Sequence, residues 1–108
     1  MELNDYQQQA VKTAIYGSGS RIIYPSIGLF GEAGEVANKV AKVIRDKEGI
    51  FSAEDREAII KEIGDVLWFC AALTNDLGFS MEDVAQANLD KLRDRHERGV
   101  IQGSGDNR

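Results

Sequence analysis

Two short acidic segments contain the residues best suited to chemistry. Residues 31–36 read Gly-Glu-Ala-Gly-Glu-Val, and residues 61–66 read Lys-Glu-Ile-Gly-Asp-Val. Each segment places two carboxylates three residues apart, within a stripe of regularly spaced apolar side chains rather than on a solvated face. The four acids are therefore candidates for holding a cation together: Glu32, Glu35, Glu62 and Asp65.

The two acid pairs occupy matching positions on their predicted helices. With about 100° of rotation per residue, the acids of the first segment lie about 60° and 120° to one side of Leu29. The acids of the second segment lie at the same two angles from Ile59. Helices packed antiparallel would bring four carboxylates to one place, where the charges repel unless a cation holds them. Oxygen ligands alone suit Mg²⁺, or Mn²⁺, better than zinc.

A glycine stands directly before the second acid of each segment. Gly34 and Gly64 each cost about 1 kcal/mol relative to alanine in a helix interior, so we expect a partner helix or a ligand to approach closely there. A single acid pair of this spacing is common on solvated helices. Two pairs in matching register, both with interior glycines, favour a metal site over the alternative of solvated flank residues.

Four helices are predicted to position these acids within one domain covering residues 1–108. Apolar periodicity and capping residues place the helices at about residues 4–16, 26–47, 53–76 and 81–98, with Asn4 as the first N-cap. Pro25 favours an extended backbone at Tyr24, ahead of the second helix. The spacing of Val84, Leu89 and Leu92 predicts that they face inward, and residues 99–108 form a polar, glycine-rich, flexible tail.

The bulk composition excludes several classes of function. With 13 basic and 18 acidic residues the net charge is −5, which argues against a binder of nucleic acid or of anionic membranes. The longest apolar run, Val66 to Leu73, has eight residues, against the roughly 20 that a membrane span needs. Because the first residues lack the pattern of a signal peptide, we expect a cytoplasmic protein.

The acidic segments resemble a known family signature. Gly-Glu-x-Gly-Glu-Val followed by Glu-Ile-Gly-Asp-Val-Leu is similar to the E-x-x-E…E-x-x-D motif of MazG-like nucleotide pyrophosphohydrolases. These proteins belong to the all-α NTP pyrophosphatase superfamily, which includes dimeric dUTPases. Asn88 to Lys91 fits the family's N-x-x-K element, and the resemblance runs from about Asp5 to Arg98. It implies an all-α, four-helix, bundle-type fold completed by oligomerisation, as a homodimer or homotetramer.

The resemblance also implies a reaction. Family members hydrolyse an NTP or dNTP between the α and β phosphates, giving the monophosphate and pyrophosphate, for nucleotide-pool control or sanitisation. Carried over to this chain, the four acids bind Mg²⁺, and Glu32 is assigned the catalytic role of orienting or deprotonating the attacking water. Such phosphoryl transfer needs a metal and further cations on the phosphates.

Substrate-binding residues are expected on the fourth helix and at aromatic positions. Asn88, Lys91 and Arg95 share one helical face and can hold sugar and phosphate oxygens. Trp68 and Tyr24 are candidates for stacking on a base, although a core role for Trp68 and a loop role for Tyr24 are the alternatives. Lys39 and Lys42 are candidates for phosphate contacts or surface residues.

The tail and the overall function each have more than one interpretation. The ending Gly-Ser-Gly-Asp-Asn-Arg, which resembles that of small MazG-like proteins, is either a frayed terminus or a flap whose Arg108 closes over the phosphates. The leading hypothesis for the whole chain is an NTP pyrophosphohydrolase. The alternatives are a dUTPase-like hydrolase with the same site and a non-catalytic helical interaction module with vestigial acids.

Overall fold

Four α-helices form the computed structural model, which describes residues 1–108 and contains no strand. The predicted all-α class is therefore confirmed. None of the helices combines the length and apolar character that crossing a lipid bilayer requires. In chain order the helices are α1 (Leu3–Val11), α2 (Ile23–Lys47), α3 (Ala53–Asp76) and α4 (Met81–Glu97), with a short 3₁₀ turn at Ser18–Ser20 before α2.

The long helices α2 and α3 pack against each other as an antiparallel pair. The turn between them ends in a reciprocal cap, in which the Asp55 amide donates to the Ser52 hydroxyl (3.1 Å) and the Ser52 amide donates to the Asp55 carboxylate (2.9 Å). The start of α3 at Ala53 agrees with the predicted range of about 53–76. Contacts from the turn outwards join Lys47 with Asp55, Lys39 with Glu62, and Gly28 with Phe69.

One helical glycine permits the close approach of α2 and α3. A Cβ atom on Gly28 would lie 2.2 Å from Cε1 of the Phe69 ring, far inside van der Waals contact. At Gly34 and Gly64 an added Cβ would meet nothing within 4 Å. The close helix approach expected at Gly34 and Gly64 is therefore found within this chain at Gly28 instead. The space beside the other two glycines is open to a ligand or a second chain.

Gly28→Ala is expected to destabilise the protein by about 1–3 kcal/mol, because the new methyl group overlaps the Phe69 ring by more than a small rotation can relieve. Gly31→Ala is the matched control, since its Cβ would meet nothing within 4 Å. The control is expected to gain up to about 1 kcal/mol from helix propensity. Chemical denaturation of both variants measures the difference, and equal stabilities would contradict the assigned contact.

Polar residues of α1 hold the start of α4. The buried Gln7 side chain donates to the Phe79 carbonyl (3.1 Å) and accepts from the Met81 amide (2.9 Å). The Asn4 amide oxygen accepts from the Glu82 amide at 3.0 Å. The prediction of Asn4 as the α1 N-cap is therefore wrong. The N-cap is Glu2, and Asn4 satisfies a free amide in the first turn of α4 instead.

Two further helix boundaries differ from the predictions. Helix α1 ends at Val11 rather than Tyr16, because the Thr13 hydroxyl donates to the Ala10 carbonyl (2.7 Å) and the chain then turns away. Helix α2 begins at Ile23, so Pro25 lies in its first turn rather than before it. Proline is tolerated there because the first-turn amides have no partner within the helix.

A single chain leaves much of its apolar surface uncovered. Only nine of 108 residues are buried, and the radius of gyration of 16.7 Å exceeds the roughly 13 Å expected of a compact domain this long. The accessible surface of 7835 Å² exceeds by roughly 1,900 Å² the value expected for a monomer of this mass. Val84, Leu89 and Leu92 are exposed, so their predicted inward orientation is wrong within one chain, where α4 packs mainly on α1 and α3.

Candidate active site

The α2–α3 pair brings three of the four predicted acids together. Glu32, Glu62 and Asp65 each place one carboxylate oxygen so that the three lie within 4.8 Å of one another. Glu32 and Glu62 are half-buried, and Asp65 is exposed. Glu35 lies outside this group, exposed on α2, yet near enough for its charge to act on Glu32. We call Glu32, Glu62 and Asp65 the acid cluster.

The electrostatics of the acid cluster favour a cation. Partial desolvation raises the pKa of Glu32, and the charges of Asp65 and Glu62 raise it further. Neighbouring carboxylates produce this shift because each anion disfavours ionisation of the next. The ligand atoms available are all hard oxygens, which is the donor set that Mg²⁺ prefers. The acid cluster therefore fits a divalent cation by both its charge and its chemistry.

Lys39 lies beside the acid cluster. Its Nζ is 3.7 Å from Oε1 of Glu62, and its side chain is only partly exposed. The signal was present in the sequence, since Lys39 lies about 80° from Leu29 on the same side as Glu32 and Glu35. Lys39 therefore lies on the same face of α2 as Glu32 and Glu35.

Both predicted base-stacking residues line one cleft. Tyr24 and Trp68 lie in a cleft of about 440 Å³ together with Thr13, Ile15 and Tyr16. The Trp68 indole N–H donates to the Thr13 hydroxyl at 2.8 Å, which fixes the orientation of this half-buried side chain. The Tyr24 and Tyr16 ring centroids are 5.0 Å apart. The cleft thus offers aromatic surface of the kind that binds a planar ligand.

Asp76 anchors the segment that forms one wall of this cleft. Its carboxylate, only 4% exposed, accepts from the Tyr16 hydroxyl and the Ile22 amide, both at 2.9 Å. Burial and the hydrogen bond to Asp76 raise the pKa of Tyr16 to about 12. Ile22 has φ of 68°, an unusual backbone for a β-branched residue, which this contact helps to hold.

The predicted phosphate-binding residues of α4 form a second polar group. Asn88 is exposed, Lys91 is half-buried, and Arg95 is buried with 6% exposure. Lys91 and Arg95 meet at the carboxylate of Asp106, with N–O distances of 2.7 and 3.1 Å. None of the ion pairs in the chain joins these two cations to the acid cluster.

The tail that was predicted to be flexible folds back on α4, and Arg108 organises it. The Arg108 guanidinium donates to the carbonyls of Val100 (3.1 Å), Ile101 (3.0 Å) and Gly105 (2.7 Å). In this conformation Arg108 contacts its own tail. Its predicted role in binding substrate therefore requires the tail to rearrange.

Comparison with known proteins identifies the family of this chain. The family model of the MazG nucleotide pyrophosphohydrolase domain matches residues 26–100, which include the four acids and the α4 cations. The "Gene 37 protein" of Mycobacterium phage L5 is 49% identical over 114 aligned positions that cover all of both chains. The "Uncharacterized protein YvdC" of Bacillus subtilis (strain 168) is 35% identical over 74 positions, covering 64% of this chain and 70% of that protein. No solved structure matches. The chain belongs to the MazG nucleotide pyrophosphohydrolase family.

Proposed function

We propose that the protein hydrolyses nucleoside triphosphates between the α and β phosphates, releasing the monophosphate and pyrophosphate. The observation that carries this proposal is the convergence of three carboxylates within 4.8 Å in a chain of this family. Such a reaction on nucleotides serves to control or cleanse the nucleotide pool.

The acid cluster, joined by Glu35, is proposed to hold Mg²⁺, with Mn²⁺ as a possible substitute. When bound, the cation neutralises phosphate oxygens as charge develops on them. Glu32 is proposed to accept a proton from the attacking water. Its half-buried position beside the other two acids of the cluster makes it a suitable base.

The remaining substrate contacts are proposed to come from α4 and from the aromatic cleft. Lys91 and Arg95 supply ammonium and guanidinium donors for phosphate oxygens, and the exposed Asn88 lies one turn before Lys91 on the same helix. Tyr24 and Trp68 supply the aromatic surface for a base. Three of the five residues that line this open cleft are aromatic, which supports the binding of a nucleotide.

A second copy of the chain is proposed to complete the protein as a homodimer or homotetramer. The excess accessible surface of roughly 1,900 Å² per chain is the area that an obligate dimer interface removes. Exposed apolar residues follow one stripe of α2 (Ile23, Ile27 and Phe30) and one of α3 (Ile60, Ile63 and Leu67). Gly34 and Gly64, with open space beside them, lie next to these stripes and allow a partner helix to approach.

An activity assay tests the proposal directly. We expect the purified full-length chain, given Mg²⁺ and a panel of NTPs and dNTPs, to release pyrophosphate and the monophosphate, and to lose this activity in EDTA. Release of single phosphates would overturn cleavage between the α and β phosphates. Hydrolysis of dUTP alone would favour the dUTPase-like alternative, and no turnover of any nucleotide would favour a helical interaction module.

A further inference from the structure

The carboxylate of Asp106 is bound by Lys91 and Arg95 of α4, which we call the cation pair. Its Oδ1 atom lies 2.7 Å from Lys91 Nζ and 3.1 Å from Arg95 Nη2, and the same Arg95 nitrogen also donates to the Asp106 carbonyl at 2.5 Å. Lys91 and Arg95 are thus drawn together on one anion that the chain itself supplies.

The cation pair is an anion-binding site that includes a buried side chain, unlike a chance contact between surface residues. The Arg95 side chain is only 7% exposed, and its guanidinium is aimed at the anion. A buried arginine requires an anionic partner, because an unpaired buried charge is strongly unfavourable. Two cations face one carboxylate, so one positive charge remains uncompensated. A phosphate group carries more charge and more acceptor oxygens than a carboxylate, and it satisfies this pair better.

The segment that carries Asp106 is held weakly. Residues 101–107 are all exposed, and Asp106 itself is 76% exposed, so release of the segment uncovers no core. Arg108 closes the segment on itself through three backbone carbonyls, so it can move as one body. Its attachment to α4 rests on hydrogen bonds from Lys91, Arg95 and Arg98. The Lys91–Asp106 pair is exposed and contributes little stability, and the Asp106 end of the Arg95 pair is 76% exposed, so solvent or another anion can reach it.

We propose that Asp106 is an internal competitor for the phosphate-binding site, which an incoming polyphosphate displaces from Lys91 and Arg95, freeing the tail. This inference rests on the proposed function, in which those two cations contact the substrate's phosphates. The tail then reports occupancy of the site: it is closed on α4 without a polyphosphate and released when one binds.

The ionisation of Asp106 agrees with this role. Hydrogen bonds from Lys91 and Arg95, together with their charges, hold its pKa below the usual carboxyl range. A lowered pKa means that the contact is fully present above the ordinary carboxyl pKa and is lost as the pH falls through the lowered value. The competitor is therefore fully charged near neutral pH, where a nucleotide would meet it.

The test is calorimetric titration of the full-length chain with inorganic tripolyphosphate, in EDTA and at low salt. Without a divalent cation the acid cluster cannot bind the polyphosphate, so binding comes from cationic side chains, and the two variants show whether the cation pair is among them. Asp106→Asn is expected to bind tripolyphosphate roughly three- to tenfold more tightly than wild type. The gain arises because the ligand no longer has to break the two ion pairs of Asp106, whose carboxylate end is exposed. Asp90→Asn, which makes the same charge change at an exposed site on α4, is expected to bind within twofold of wild type.

A second measurement separates displacement from a change in affinity alone. In NMR spectra of wild type, the amide signals of Gly103 and Gly105 are expected to sharpen on addition of tripolyphosphate, as the tail is released. Equal or weaker binding by Asp106→Asn, or no binding by any variant, would overturn the inference. Tighter binding by Asp106→Asn in a protein that hydrolyses no nucleotide would instead leave the inference standing and remove the proposed function.

Discussion

Glu62→Gln is expected to lower Mg²⁺-dependent pyrophosphate release roughly a hundredfold or more. Glu62 places an oxygen within 4.8 Å of those of Glu32 and Asp65, so it stands at the proposed cation position. The amide keeps the size of the side chain but removes the charge, and with it a ligand of the kind that Mg²⁺ prefers. Initial rates across a range of Mg²⁺ concentrations measure the loss, which added Mg²⁺ should restore only in part.

The same substitution is expected to leave the unfolding free energy unchanged or to raise it. The acid cluster carries like charges at short range, and removal of one relieves their repulsion. The lost ion pair with Lys39, at 3.7 Å and partly exposed, contributes little. Glu57→Gln is the matched control, because Glu57 is an exposed acid of α3 outside the cluster. Wild-type activity in Glu62→Gln, or equal losses in both variants, would refute the site.

Phe30→Glu is expected to dissociate the assembled protein. Phe30 is 84% exposed in the single chain, on the α2 stripe that we propose a second copy covers. A carboxylate there would be buried without a partner in the interface, which weakens association by roughly a hundredfold or more. Light scattering coupled to size-exclusion chromatography measures the mass, which should fall from that of a dimer or tetramer to about one chain of 11.9 kDa.

Ile15→Glu provides the control for that experiment. Ile15 is almost fully exposed as well, but it lies in the loop after α1 rather than on the stripes of α2 and α3. Its substitution should leave the assembled mass unchanged. A wild-type protein that stays monomeric at all concentrations would contradict the proposed assembly. So would a Phe30→Glu variant that keeps the wild-type mass.

The features that could be predicted from the sequence are those that local geometry determines. The matching angles of the two acid pairs followed from helical rotation alone, and the structure brings Glu32, Glu62 and Asp65 together. The start of α3 followed from the Ser52 cap, whose partners lie within one turn. Lys39 was accessible to the same reasoning, because its angle on α2 places it beside the acids.

The features that could not be predicted depend on contacts distant in sequence. The end of α1 was misplaced because, after the local Thr13–Ala10 hydrogen bond, the chain turns towards Asp76, which lies 60 residues from Tyr16. Asn4 has the composition of an N-cap, but its partner is the amide of Glu82. The pairing of Asp106 with Lys91 and Arg95 depends on how the tail folds back on α4. The spacing of apolar and polar residues along the chain does not predict the direction of such a turn.

The position of Asp76 has a consequence for how the aromatic cleft can vary among related chains. Asp76 is the last residue of α3 and lies eight residues after Trp68, so one helix carries both a lining residue of the cleft and the anchor of the segment that contributes Tyr16 to it. Inserting or deleting one residue between them would rotate the anchor by about 100° and release the Tyr16 hydroxyl and the Ile22 amide. A lineage that keeps this spacing can exchange the lining side chains one at a time. A lineage that changes it loses the two hydrogen bonds that hold this wall of the cleft.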